Sequence, residues 1–88
     1  MRWLQAINMT SKTNSMKNRS VEPVYKRIGR RITRAREAAS MTQERLGFLI
    51  GQSRVSVYNI EHGTQRVPIH VLGRIARALD YDMVDLLD

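Results

Sequence analysis

"SRVSVYNIEHG", residues 53–63, sorts its side chains onto two faces once it is wound as a helix. Val57 and Ile60 are three apart and share one side, while Arg54, Val55, Tyr58, Asn59 and His62 fall on the other. Ser53 is a good N-cap just before this segment, and Gly63 a natural stop just after it. The pattern predicts a short helix over 54–62, held by two aliphatic residues and offering arginine, tyrosine and asparagine outward.

Upstream lies "SMTQERLGFLIG", residues 40–51. Thr42 is an N-cap candidate, and Glu44 sits in the first turn, where negative charge suits the helix dipole. Leu46, Leu49 and Ile50 form the expected apolar stripe, and Gly51 ends the helix in a left-handed conformation. A longer helix is expected over 23–39, started by Pro23 and carrying Val24, Ile28, Ile32, Ala35 and Ala39 at spacings of three and four. Downstream, "GTQRVP" is a loop, and Pro68 opens a helix over 68–79 with Val71, Leu72, Ile75, Ala76 and Leu79 inward. Asp82 caps a last short helix, with Asp85 completing a capping-box-like pair. No alternating run or Asn-Gly hairpin signals a strand, so the fold class is all-α, five short helices around one core.

Composition narrows the function. The 88 residues make one small domain, and the absence of cysteine removes disulfides, thiolate zinc sites and cysteine nucleophiles, in keeping with a reducing cytoplasm. No apolar run approaches the roughly 20 residues that cross a bilayer. Fifteen Lys and Arg face eight Asp and Glu, and four of those acids are Asp80, Asp82, Asp85 and Asp88. The body of the chain is thus strongly basic, which favours a polyanionic partner, nucleic acid before membrane. Residues 1–22 are expected to form a disordered polar and basic arm ahead of a folded domain over 23–88. Met1, Met9 and Met16 are each possible starts.

Two short helices joined by a glycine-containing turn make a helix-turn-helix, whose second helix enters the DNA major groove. "TQERLGFLIGQSRVSVYNIEHG" closely resembles the centre of the lambda-repressor-like, Cro/CI-type helix-turn-helix proteins. Thr42, Gln43, Leu46, Gly51, Ser53, Val57, Ile60, Glu61 and Gly63 match the family pattern in register. The flanks "IGRRITRAR" and "IARALDYDMVDLL" resemble its first and last helices, so the likeness spans about 24–87 with a motif core at 42–62. Three departures stand out: Ser40 where glycine is common, Gly47 for a usual alanine, and Ala35 for a larger apolar residue.

The resemblance assigns roles. Arg54, Val55, Tyr58 and Asn59 become the base-facing set. Arginine can bond guanine O6 and N7, asparagine adenine N6 and N7, and valine can meet a thymine methyl. Tyr58 is left between a base edge and a phosphate. Gln43, at a helix start, and Ser53 are expected on phosphates, together with the loop Thr64, Gln65 and Arg66. Arg36 and Glu61 are expected to form a partly buried ion pair locking the recognition helix to the first helix. His62 would favour the dipole at its helix end. The basic residues Lys26, Arg27, Arg30, Arg31 and Arg34 divide between a solvated face and DNA-backbone contact, without assignment.

The partners implied are double-stranded DNA and a second copy of the chain, meeting through Val84 and Leu87 of the last helix. A sequence-specific transcriptional repressor is the expected function. The alternative is an antitoxin or partner-regulated component of a toxin–antitoxin-like system, using residues 1–20 for a protein partner. An enzyme is disfavoured: His62 and His70 lack a carboxylate pair at ligand spacing, and the five glycines form neither a G-x-G-x-x-G nor a P-loop. No cofactor or metal is implied. RNA binding is disfavoured by the scatter of the aromatic residues.

Overall fold

The computed structural model describes residues 23–87, and these form five helices and no strand. They are α1 (Pro23–Ala38), α2 (Gln43–Ile50), α3 (Arg54–Glu61), α4 (Ile69–Leu79) and α5 (Met83–Leu87). The arm expected over residues 1–22, with its possible partner surface on 1–20, lies outside the described residues, as does Asp88.

Ile28, Ile32 and Ala35 of α1, Leu46 and Ile50 of α2, and Val57 and Ile60 of α3 are all buried in one core. Val71, Leu72, Ile75, Ala76 and Leu79 of α4 join them, and Leu86 of α5 closes the cluster. Helix α3 packs on both α1 and α2, α2 also packs on α4, and α5 bridges α1 and α4. Helix α3 therefore has firm support on one side and open surface on the other.

The caps fall close to expectation because each is a local hydrogen bond. Thr42 Oγ1 accepts from the Arg45 N–H at 3.0 Å, and Ser53 Oγ from the Ser56 N–H at 3.0 Å. Gly51 ends α2 at φ 74°, the left-handed region that favours glycine. In the last helix the Asp82 N–H donates to Asp85 Oδ2 at 3.3 Å, one half of a capping box.

Several details differ from the sequence reading. Helix α1 ends at Ala38, not 39, because Ser40 turns to φ 55° and the Met41 N–H bonds back to the Arg36 carbonyl. Ala39 is consequently exposed rather than part of the apolar stripe. Leu49 is also out of its stripe at 41% exposed, since Leu46 and Ile50 fill the space beneath α2. Helix α3 ends at Glu61, with His62 at the C-cap. Pro68 stands one residue before α4, in extended conformation, with its carbonyl accepting from Val71 and Leu72. A Cβ on Gly47 would lie 2.6 Å from the Gln52 carbonyl oxygen of the following turn, so this glycine keeps α2 close to that turn.

Candidate nucleic-acid interface

Helix α3 is held from three directions. Val57 and Ile60 press into the core, 1% and 3% exposed. Backbone meets backbone where α1 crosses it: a Cβ on Gly29 would run into the carbonyl oxygens of Ile60 and Glu61. The third hold is electrostatic. Arg36 Nε donates to Glu61 Oε2 at 2.6 Å and Nη2 to Oε1 at 3.1 Å, a two-pronged arrangement. Arg36 Nη1 donates to the Met41 carbonyl at 2.7 Å, tying the pair to the turn before α2. Glu61 is buried, so its charge needs these partners. The hydrogen bonding of Arg36 to the Glu61 carboxylate raises the Arg36 pKa above its ordinary value, against the opposing effect of burial and with help from the Glu61 and Glu37 charges.

With that side fixed, the opposite face is open. Arg54 is exposed, Val55 is 64% exposed and Tyr58 47% exposed. Asn59 is half-buried: its carbonyl accepts from the Thr64 N–H at 3.0 Å, and its Oδ1 faces the Thr64 hydroxyl at 3.5 Å. His62 does more than face the dipole. Its Nδ1 lies 2.9 Å from the Tyr58 carbonyl, which fixes the proton on that nitrogen, and its ring stacks on Tyr58 with centroids 3.9 Å apart.

The residues expected on phosphates flank this face. Ser53 is exposed at the start of α3, and Thr64, Gln65 and Arg66 follow its end, with Gln65 half-buried. Gln43 stands at the start of α2, where backbone N–H groups point outward. The sequence reading missed its internal partner: Gln43 Nε2 donates to Glu61 Oε1 at 3.0 Å. An amide nitrogen carries two hydrogens, so one remains for an outside acceptor. Also missed was a surface cavity of about 460 Å³ beside this group, to which α1 contributes Lys26 and Arg30. Their i, i+4 spacing was the available signal.

Among the described residues no three or more His, Cys, Asp or Glu converge as metal ligands, and no helix is long and apolar enough to cross a membrane.

The sequence profile of the Helix-turn-helix family matches residues 32–86. Three solved structures are similar. The restriction-modification controller protein C.AhdI of Aeromonas hydrophila is 32% identical, with a TM-score of 0.68, over 70% of this chain and 94% of that one. SinR, a master regulator for biofilm formation crystallised with DNA, is 29% identical with a TM-score of 0.65, over 69% of this chain and 98% of its own. The clp gene regulator ClgR of Corynebacterium glutamicum shares the fold at 20% identity and a TM-score of 0.73, over 75% of this chain and 70% of that one. No curated protein sequence matches the chain. The family match and the geometry of α2 and α3 agree, and the chain belongs to the Cro/CI-type helix-turn-helix family of DNA-binding transcriptional regulators.

Proposed function

We propose that the protein is a repressor that binds, as a homodimer, a palindromic operator overlapping a promoter. The observation that carries this reading is the division of α3: Val57, Ile60 and Glu61 are locked down while Arg54, Val55 and Tyr58 are exposed. A rigid helix with a free polar face fits the major groove, which is wide enough to admit it. Arg54 then reads a guanine, Val55 a thymine methyl, and Tyr58 and Asn59 the bases or backbone next along. Asn59 reaches a base by releasing Thr64. Gln43, Ser53, Thr64, Gln65 and Arg66 set the register by holding phosphates.

Two similar proteins support the regulatory role: a restriction-modification controller and a biofilm regulator whose structure includes DNA. Dimerisation is supported by Val84, 61% exposed, and Leu87, 39% exposed, on α5. A two-fold dimer would address two half-sites about one helical turn, roughly 34 Å, apart. The function is binding and occupancy, without catalysis.

Selection of bound sites from random duplexes tests this directly. The expected product is an inverted repeat with half-site centres about 10 base pairs apart. A pool with no enriched motif, or with a single unrepeated one, overturns the reading. Placing the selected site across a reporter promoter should lower expression when the protein is present; an increase contradicts repression.

A further inference from the structure

Helix α1 carries more positive charge than its place in the core explains, and the structure divides that charge into two stripes. Successive residues turn by about 100°, so Lys26, Arg30 and Thr33 share one flank while Arg27, Arg31 and Arg34 share another about a quarter turn away. The first stripe lines the 460 Å³ cavity whose far wall is Gln43 and His62. The second does not reach that cavity; Arg31 and Arg34 border a different one, beside Tyr81 and Asp85.

A second observation fixes where the first stripe lies. Gly63, φ 71°, sits so tightly on α1 that a Cβ would come within 2.7 Å of the Lys26 Cα. Lys26 is therefore held against the end of α3, next to the loop Thr64 to Arg66. The cavity floor is polar but internally satisfied, because Arg36 and Glu61 neutralise each other. Glu37, seven residues beyond Arg30, is the remaining acid. Lys26 and Arg30 are both exposed at the rim, and the Gln43 amide has an N–H to spare. Both cations precede residue 32, where the family match begins.

We propose that Lys26 and Arg30 hold a backbone phosphate of the bound duplex at this cavity, joining Gln43 on one side to the Thr64–Arg66 loop on the other. The contact is sequence-independent and extends the grip on DNA from the recognition helix to α1. It rests on the DNA-binding reading and adds to it the residues of α1 that touch the backbone, leaving Arg27 and Arg34 outside.

The test compares two double variants of equal charge change: Lys26→Gln with Arg30→Gln, and Arg27→Gln with Arg34→Gln. Each is titrated against the selected operator and a scrambled duplex over a range of salt. The first pair should weaken both duplexes alike and make the log–log salt slope about 0.9 shallower, for the one phosphate they hold. Between roughly 50 and 200 mM salt, the wild-type advantage over that variant then shrinks about three- to fourfold. The second pair should leave the slope close to that of the wild type. Equal slopes for the two variants reduce the effect to the overall field and overturn the proposal, as does an unchanged slope for the first pair. A wild-type chain that binds no duplex overturns the function itself, and this contact with it.

Discussion

Arg36 and Glu61, twenty-five residues apart in the chain, close a two-bond ion pair that joins α1 to the last residue of α3. Gln43 at the start of α2 donates to the same carboxylate, so one buried acid gathers three helices. Helix α3 is oriented by this node as much as by Val57 and Ile60 beneath it. Glu61→Gln preserves the shape but leaves the Arg36 guanidinium, largely buried, without its paired carboxylate. The expected loss is about 3 kcal/mol of stability. In a domain of this size that lowers Tm by roughly 10–20 °C. Operator affinity should fall with it. Thermal melting and duplex titration of the same preparation measure both, and an unchanged pair of values removes the node from the account. The raised Arg36 pKa gives the pH dependence its sign. A cation favoured in the folded state contributes fully below its ordinary pKa and weakens only above it. The stability difference between wild type and variant should hence stay level from neutral pH to about pH 10.

Base reading and phosphate holding separate by substitution. Arg54→Ala should weaken the operator by about 1–3 kcal/mol and relax the preference at one base pair, with little change on scrambled DNA. Arg66→Ala should weaken operator and scrambled duplexes by the same factor and make the salt dependence shallower. The two variants are to be compared on one set of single-base operator mutants. Equal losses on specific and scrambled DNA for the Arg54 change would move that residue to the backbone.

Dimerisation has its own prediction. Val84 and Leu87 project from α5 while Leu86 between them is fully buried, so the outer pair can change without opening the core. In a two-fold interface each substitution appears on both sides. Val84→Asp with Leu87→Asp should give a one-chain mass by light scattering, keep the helical circular dichroism, and bind the palindrome far more weakly. A wild type that has a one-chain mass both free and on the palindrome defeats the expectation.

The helix-turn-helix was legible nearly to the residue because its borders are written locally. Thr42, Ser53 and Gly51 act within three or four positions of themselves. Leu49 and Ala39 misled for the opposite reason. An eight-residue helix offers barely two turns, too few for spacing alone to place the edge of its buried stripe, and Ala39 follows a helix end set by the turn at Ser40. The second bond of Glu61 to Gln43, and the meeting of Lys26 with Gly63, depend on how helices cross, which no local pattern encodes.

Ser40 shows how a departure from the family pattern becomes measurable. Its φ of 55° puts a Cβ where the left-handed backbone crowds it, and the turn is nevertheless closed by the Ser40 and Met41 N–H bonds to Glu37 and Arg36. Ser40→Gly relieves that crowding at some cost in unfolded-chain entropy. The net expectation is a gain of about 1 kcal/mol in urea unfolding, with DNA binding unaltered. A loss of stability would mean that the serine side chain contributes more than the strained backbone takes away.

Gly29 supplies the sharpest contrast, because local and tertiary preferences point in opposite directions there. In the middle of α1, alanine is the better helix former by about 1 kcal/mol, so propensity alone predicts that Gly29→Ala stabilises the fold. The structure predicts the reverse. The added methyl would push into the carbonyl oxygens of Ile60 and Glu61, rigid backbone atoms that cannot rotate aside. To admit it, α1 and α3 must separate, loosening the Arg36–Glu61 pair at the same point. Overpacking of this kind costs about 1–3 kcal/mol and should outweigh the gain in propensity. Urea unfolding should show Gly29→Ala less stable than the wild type, with weaker operator binding as α3 shifts. A more stable variant would mean that α1 and α3 do not approach as closely as their backbones here require.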